Sequence, residues 1–250
     1  MSETNKTAVV TGGARGIGRA SVLALAAKGF RVAVVDMRDE DAAETETAAR
    51  ALGVDAMRLA TDVSDFDAVR AAGQKVLDAW GAIDVLVNNA GISQPKGILE
   101  IEEADWDRTI AVNLKGYFNW CHFAAPAMTA KGEGRIVNIS SVSANTGAGR
   151  TAVSKFAYAT AKAGVLGMTR GLARELAPKV KVNAICPGAI MTDLTRAHFT
   201  PRAEAIVNSI PMERMGTPED IAEVVAFLAT VEPCFITGEV IDVDGGQWIN

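Results

Sequence analysis

The sequence predicts an α/β fold, a doubly wound parallel sheet of about seven strands with helices on both faces. Three observations carry this. Short apolar runs of strand length alternate with longer stretches of helical periodicity along the whole chain. The first such pair is joined by Thr11-Gly12-Gly13-Ala14-Arg15-Gly16-Ile17-Gly18, a turn almost without side chains. Small polar clusters then follow the later strand-like runs, and a parallel sheet brings the ends of all its strands to one edge.

Taken in order, the first strand is expected over 7–10, where Thr7-Ala8-Val9-Val10 has the apolar character of a strand buried on both faces. The helix expected over 17–28 carries apolar residues at helical spacing. At the junction Gly12 can take positive φ, Gly16 admits a pyrophosphate close to the backbone, and Gly18 lets the helix lie close on the sheet. The N–H groups at the helix start face the anion, so Gly12, Arg15, Gly16, Ile17 and Gly18 form a candidate phosphate cradle. The second strand, over 32–36, ends on Asp36, eighteen positions beyond Gly18. A carboxylate there accepts hydrogen bonds from both hydroxyls of an adenosine ribose and repels a 2′-phosphate, which favours NAD over NADP. Arg15 and Arg38 argue the other way, but a phosphate held by them meets the like charge of Asp36.

A helix over 39–52 leads to a strand over 56–60, followed by Asp62-Val63, and a helix over 65–80 leads to a strand over 83–88 that runs into Asn88-Asn89-Ala90-Gly91. A long helical pattern over 102–130 precedes a strand over 135–140 and then Ser140-Ser141. The helix expected over 153–177 precedes a strand over 180–185 and Pro187-Gly188, and a helix over 218–230 precedes the last strand, over 240–243. The least regular region, 193–216, is polar and holds two prolines, which suggests a short helix within a mobile substrate lid. No linker divides the 250 residues, so a single domain over 1–250 is expected.

Tyr158 and Lys162 stand at i, i+4 near the start of the long helix and share one face. A nearby ammonium stabilises a phenolate and is expected to bring Tyr158 down from ~10 toward neutrality, so that it can exchange a proton with an alcohol or carbonyl oxygen.

Bulk properties narrow the classes. Net charge is −5 and no Lys/Arg cluster occurs, so neither nucleic acid nor an anionic membrane is an expected partner. Cys121, Cys186 and Cys234 are dispersed and odd in number, which argues for a reducing compartment. With only His122 and His198 beside them, no metal site is expected. No secretory or bilayer-spanning apolar run occurs, and a cytoplasmic location is the expectation.

In sum of motifs the chain resembles the short-chain dehydrogenase/reductase family over nearly its whole length. The likeness rests on the Thr-Gly-x-x-x-Gly-x-Gly turn, Asn-Asn-Ala-Gly, Tyr-x-x-x-Lys and Pro-Gly in that order, ending at Asp244-Gly245-Gly246. The resemblance implies one extended Rossmann-like domain, NAD(P)-dependent chemistry at an alcohol or carbonyl carbon, and a homotetramer. It assigns Tyr158 as general acid/base, Lys162 as the residue that lowers its pKa and holds the nicotinamide ribose, Ser141 as the donor to the substrate oxygen, and Asn113 as a water-mediated proton relay toward Lys162. Asp62 and Val63 resemble adenine contacts, and Asn89, with Ala90 and Gly91 after it, lies beside the adenosine ribose. Pro187, Gly188, Ile190 and Thr192 flank the nicotinamide.

The seventeen positions from Ser141 to Tyr158 exceed the family's usual spacing, so Ser143 stays open as the catalytic serine and as a substrate contact, with Ser141 favoured for directly following the strand. Ser154 reads as a helix cap. Arg150, in the lengthened loop, is a candidate holder of a substrate carboxylate. Phe118, Trp120, Leu166 and Met168 are candidate residues between subunits.

The expected activity is NAD-dependent interconversion of a secondary alcohol and a ketone, or of a lactol and a lactone, on a small polar molecule such as a sugar, polyol or keto-deoxy sugar acid. The alternatives are an NADPH-dependent 3-oxoacyl thioester reductase and, from another class, a dinucleotide-binding regulator without turnover.

Overall fold

The computed structural model describes residues 6–149 and 152–249, and over these the chain forms one seven-stranded sheet. Its strands are β1 (Thr7–Thr11), β2 (Arg31–Asp36), β3 (Ala56–Ala60), β4 (Val85–Asn88), β5 (Gly134–Ile139), β6 (Val180–Pro187) and β7 (Val240–Val243). Every neighbouring pair is parallel, in the order β3-β2-β1-β4-β5-β6-β7. The winding reverses between β1 and β4, which opens a crevice at their carboxyl ends.

The sheet is covered on both faces, and the side-chain alternation of β1 shows how. Ala8 and Val10 pack with Val22 and Leu25 of α1 (Gly16–Ala27), with Ala42 of α2 (Asp39–Arg50), and with Ile221 and Val225 of α10 (Pro218–Thr230). Val9, between them, packs the other way, with Val69 and Val76 of α3 (Phe66–Trp80) and Trp120 and Ala124 of α5 (Gly116–Lys131). The same face is completed by α4 (Glu103–Ile110) and α7 (Phe156–Leu176), whose Ala173 joins that cluster.

Four local expectations change. The helix read over 102–130 is interrupted by a π-helical turn at Ala111–Lys115, because the Asn113 amide takes the Thr109 carbonyl, which a regular turn would use, and the ladder accommodates one extra residue. A four-residue helix, α6 (Ser143–Thr146), follows β5 where a loop was expected. The lid region holds α8 (Asp193–Phe199), a 3₁₀ turn at Thr200–Arg202 and α9 (Ala203–Val207) rather than one short helix. Ser154 does not cap α7: Lys155 occupies that position, and the Ser154 hydroxyl accepts from the Gln94 amide at 3.3 Å.

Two of the four subunit-contact candidates are core residues. Trp120 is wholly buried and Leu166 is buried against Ala184 and Cys186, whereas Phe118 is exposed and Met168 half-buried.

Candidate active site

The glycine turn runs from β1 into α1 and is shaped by what a side chain would hit. Gly12 and Gly16 have φ of +62° and +52°. A Cβ on Gly18 would lie 1.9 Å from the Gly12 carbonyl oxygen, and one on Gly12 would lie 2.8 Å from the Asn89 amide nitrogen. α1 starts without a side-chain cap and without an acidic residue in its first turn, so its leading N–H groups remain available to an anion. Asn89 braces this turn instead of reaching outward: its Nδ2 donates to the carbonyls of Thr11 (3.0 Å) and Gly12 (3.1 Å). The amides of Asn89 and Ala90 donate to the Thr11 hydroxyl.

Asp36 ends β2 with its carboxylate turned to the same place, accepting from the Ala14 amide at 3.1 Å and the Arg38 amide at 3.1 Å. Arg15 and Arg38 both lean on Asp41, at 3.4 and 3.8 Å. Asp62 accepts from the amide and hydroxyl of Ser64 and from Arg108 of α4 at 3.1 Å. Burial works to raise its pKa, but these partners together hold it below the usual carboxylate range. Val63 is spent on packing, since a Cβ on Gly116 would lie 2.7 Å from its methyl group. The chain's own groups therefore fit a dinucleotide: a side-chain-free cradle, an uncapped helix start, and carboxylates after β2 and β3. Ser64 and Arg108 escaped the sequence reading, because Arg108 reaches this pocket from a helix remote in the chain and carries no motif.

The candidate catalytic residues gather near the ends of β4, β5 and β6. Ser141 follows β5, and its hydroxyl is hydrogen-bonded to Tyr158 in the first turn of α7. Ser143 begins α6 and donates its backbone amide to the Ser141 hydroxyl at 3.1 Å. Lys162, one turn beyond Tyr158, is only 3% exposed. Its Nζ lies 5.7 Å from the centre of the Tyr158 ring and donates to the Tyr117 phenol oxygen and the Ile139 carbonyl, both at 2.8 Å. The Ser140 hydroxyl donates to the Lys162 carbonyl at 2.8 Å and ties α7 to the strand end.

Asn113 sits in the π-helical turn, donating to the Ile92 and Thr109 carbonyls and accepting from the Ile92 amide. The space beside it is kept open by Gly91, where a Cβ would lie 2.8 Å from the Asn113 oxygen and 3.8 Å from Lys162 Nζ. After β6, a Cβ on Gly188 would meet Asp244 at 2.6 Å. Ile190 pairs with Gly216, and Thr192 caps α8. Thr192 also lies 3.4 Å from a Cβ built on Gly16, which sets the start of the lid against the glycine turn. Arg150 lies outside the described residues. Among the described residues no group of His, Cys, Asp and Glu could hold a metal, and no helix is long and apolar enough to cross a membrane.

The electrostatics correct one expectation. Burial pushes the Tyr158 phenol up to about 12, against the pull of the Ser141 hydrogen bond, and burial brings Lys162 down to about 7. The expected lowering of Tyr158 is absent because the Lys162 ammonium is turned toward Tyr117 and Ile139, and desolvation of the phenol then outweighs it.

A cradle that fits a dinucleotide, beside a row of Ser141, Tyr158 and Lys162, is what this fold and this site define. A model of the family described as enoyl-(acyl carrier protein) reductase matches residues 12–247. A protein of Staphylococcus aureus named 3-oxoacyl-[acyl-carrier-protein] reductase is 41% identical, with 98% of each chain covered. One of the same name from Thermotoga maritima is 40% identical over 98% of this chain and 99% of that one. A crystal structure from Sinorhizobium meliloti, provisionally assigned as a short-chain alcohol dehydrogenase, superposes with a TM-score of 0.91 at 36% identity, covering 97% and 96% of the two chains. The chain belongs to the short-chain dehydrogenase/reductase family.

Proposed function

We propose that the protein interconverts the 3-oxo and 3-hydroxy forms of an acyl thioester, with NAD(H) as the favoured dinucleotide. The observation that carries the reaction is the Ser141–Tyr158–Lys162 row at the carboxyl ends of β5 and β6, beside the glycine cradle. The 3-oxoacyl substrate is supported by the names of relatives that match over nearly their whole length, and it replaces the sugar or polyol as the leading reading. NAD is supported by Asp36, whose carboxylate is pinned at the turn by two backbone amides where a 2′-phosphate would meet it.

When bound, the nicotinamide supplies or accepts the hydride. Tyr158 stays protonated through the physiological range and gives its phenolic proton to the carbonyl oxygen, while the Ser141 hydroxyl orients that oxygen. The phenolate left behind favours the ammonium form of Lys162, since opposite charges stabilise each other where water is excluded. Asn113 and Lys162 border the space at Gly91 through which a water could return the proton.

The test supplies acetoacetyl thioester with NADH or NADPH and follows loss of reduced nicotinamide, beside a panel of hydroxy acids, sugars and polyols with NAD or NADP. The expected result is fastest turnover of the thioester with NADH. Faster turnover of a polyol or sugar acid would restore the polar-substrate reading, and dinucleotide binding without any turnover would favour a regulator.

A further inference from the structure

The chain has only two tyrosines, and both stand by the same lysine: Lys162 Nζ is hydrogen-bonded to the Tyr117 phenol and lies 5.7 Å from the centre of the Tyr158 ring. Tyr158 is accounted for by the reaction. Tyr117 is not: it lies in the first turn of α5, four residues after Asn113, and is 1% exposed. Its phenol donates to the Ile139 carbonyl at 2.9 Å and accepts from Lys162 Nζ at 2.8 Å, while Lys162 Nζ also donates to Ile139, which closes a three-membered ring of hydrogen bonds. We propose that Tyr117 is a positioning residue for Lys162, its phenol oxygen fixing where the ammonium sits and keeping it charged. The proposal rests on the reading above, in which the Lys162 ammonium serves the dinucleotide and Tyr158.

The chemistry follows from the donor count. An ammonium has three N–H groups, and burial by itself favours the neutral amine. Two of the three are met by Tyr117 and Ile139, and the third is left for the reacting partners. A phenol held by Ile139 can only accept from Lys162, since its single proton is already committed. A neutral amine could fill the same two acceptors, so what favours the ammonium is that its hydrogen bonds to the Tyr117 oxygen and the Ile139 carbonyl are charge-assisted and the stronger. The ionisable groups facing Lys162 are Tyr117 from α5, Tyr158 on its own helix and Cys186 from β6; Cys121 faces Tyr117, and Asp242 of β7 faces Cys186. Both cysteine thiols are pushed up by burial, Cys121 to about 12 and Cys186 to about 11, and so stay neutral near pH 7. Tyr117 is pushed up by burial as well and remains a neutral acceptor.

The test is Tyr117→Phe, which keeps the ring and removes only the oxygen. The dissociation constant of the dinucleotide, read from quenching of tryptophan fluorescence, is followed against pH for the wild type, Tyr117→Phe and Lys162→Met. In the wild type affinity should weaken as pH rises through the lysine's titration. In Tyr117→Phe the midpoint should move down by about one pH unit, because the charged form loses an acceptor. Turnover at neutral pH should fall about tenfold, in kcat more than in KM. A purely structural Tyr117 would lower the melting temperature and leave the midpoint where it was, which overturns the proposal. If Lys162→Met itself leaves affinity and its pH dependence unchanged, the role given to Lys162 fails instead. Should Tyr117→Phe not fold, Tyr117→Met, which also lacks the acceptor oxygen, takes its place, and an unshifted midpoint there together with wild-type turnover would equally refute the idea.

Discussion

At the scale of single residues, what decides behaviour is where each ionisable group finds its partners. Tyr158→Phe removes the transferable proton and almost no volume, so turnover should drop on the order of 10²-fold or more while dinucleotide affinity stays within error. A Phe variant with most of its kcat would take Tyr158 out of the mechanism. Lys162 is held by burial at about 7 instead of 10.5. Below that value the folded chain carries a buried ammonium at full cost. Between the two values the unfolded chain is charged and the folded chain is not, so stability rises as pH rises through the window. Lys162→Met should therefore raise the melting temperature most near about pH 6 and least near about pH 10, with activity lost. Equal gains at both ends would mean that buried charge is not the cause. Asp36→Ala deletes both the ribose acceptor and the repulsion, so the ratio of kcat/KM for NADP over NAD should rise. A wild-type enzyme that already prefers NADP would remove the premise.

At the scale of elements, the site depends on close approaches that only small residues permit. The junction of β1 and α1 is the clearest, because the contact at Gly18 is with the backbone of Gly12, which cannot swing aside as a side chain could. Gly18→Ala should abolish measurable dinucleotide binding and destabilise the fold by about 1–3 kcal/mol, read from chemical denaturation. Unchanged affinity would mean that the helix can retreat without cost. The π-helical turn has a comparable role. It sets Asn113 against the backbone of Ile92 on both its amide and carbonyl, so the helix and the loop after β4 are joined as a strand pair would be.

At the scale of the whole molecule, α7 leaves an uncovered face. Gly167 is exposed, and a Cβ there would touch nothing within 4 Å in the single chain. On a free helix, Gly167→Ala should stabilise by about 1 kcal/mol. If α5 and α7 pack against a second copy, as a homotetramer through these helices requires, the added methyl crowds the contact. Sedimentation is expected to give a tetramer for the wild type, with Gly167→Ala shifted toward smaller species at micromolar concentration. A monomeric wild type, or a variant that is only stabilised, would contradict that assembly.

The fold, and where the candidate site residues fall on it, were legible because they depend on local order. The alternation of apolar runs dictates a covered parallel sheet, the glycine spacing dictates a turn into a helix start, parallel strands bring following residues such as Asp36 and Ser141 to one edge, and a spacing of four pairs Tyr158 with Lys162, whereas Asn113 and the role of Ser141 came from the family resemblance alone. What the sequence could not decide is direction and competition among side chains. Asn89 spends its amide on the Thr11 and Gly12 carbonyls, Asn113 opens the helix into a π turn, and Ser154 leaves the end of α7 for Gln94. The larger reversal is at Lys162. A spacing of four places it beside Tyr158, but Tyr117 and Ile139 arrive from α5 and β5 and take its hydrogen bonds. Helical periodicity tells which residues share a face, whereas the pKa of a buried group depends on desolvation and on every element packed around it, and only the assembled tertiary structure supplies those.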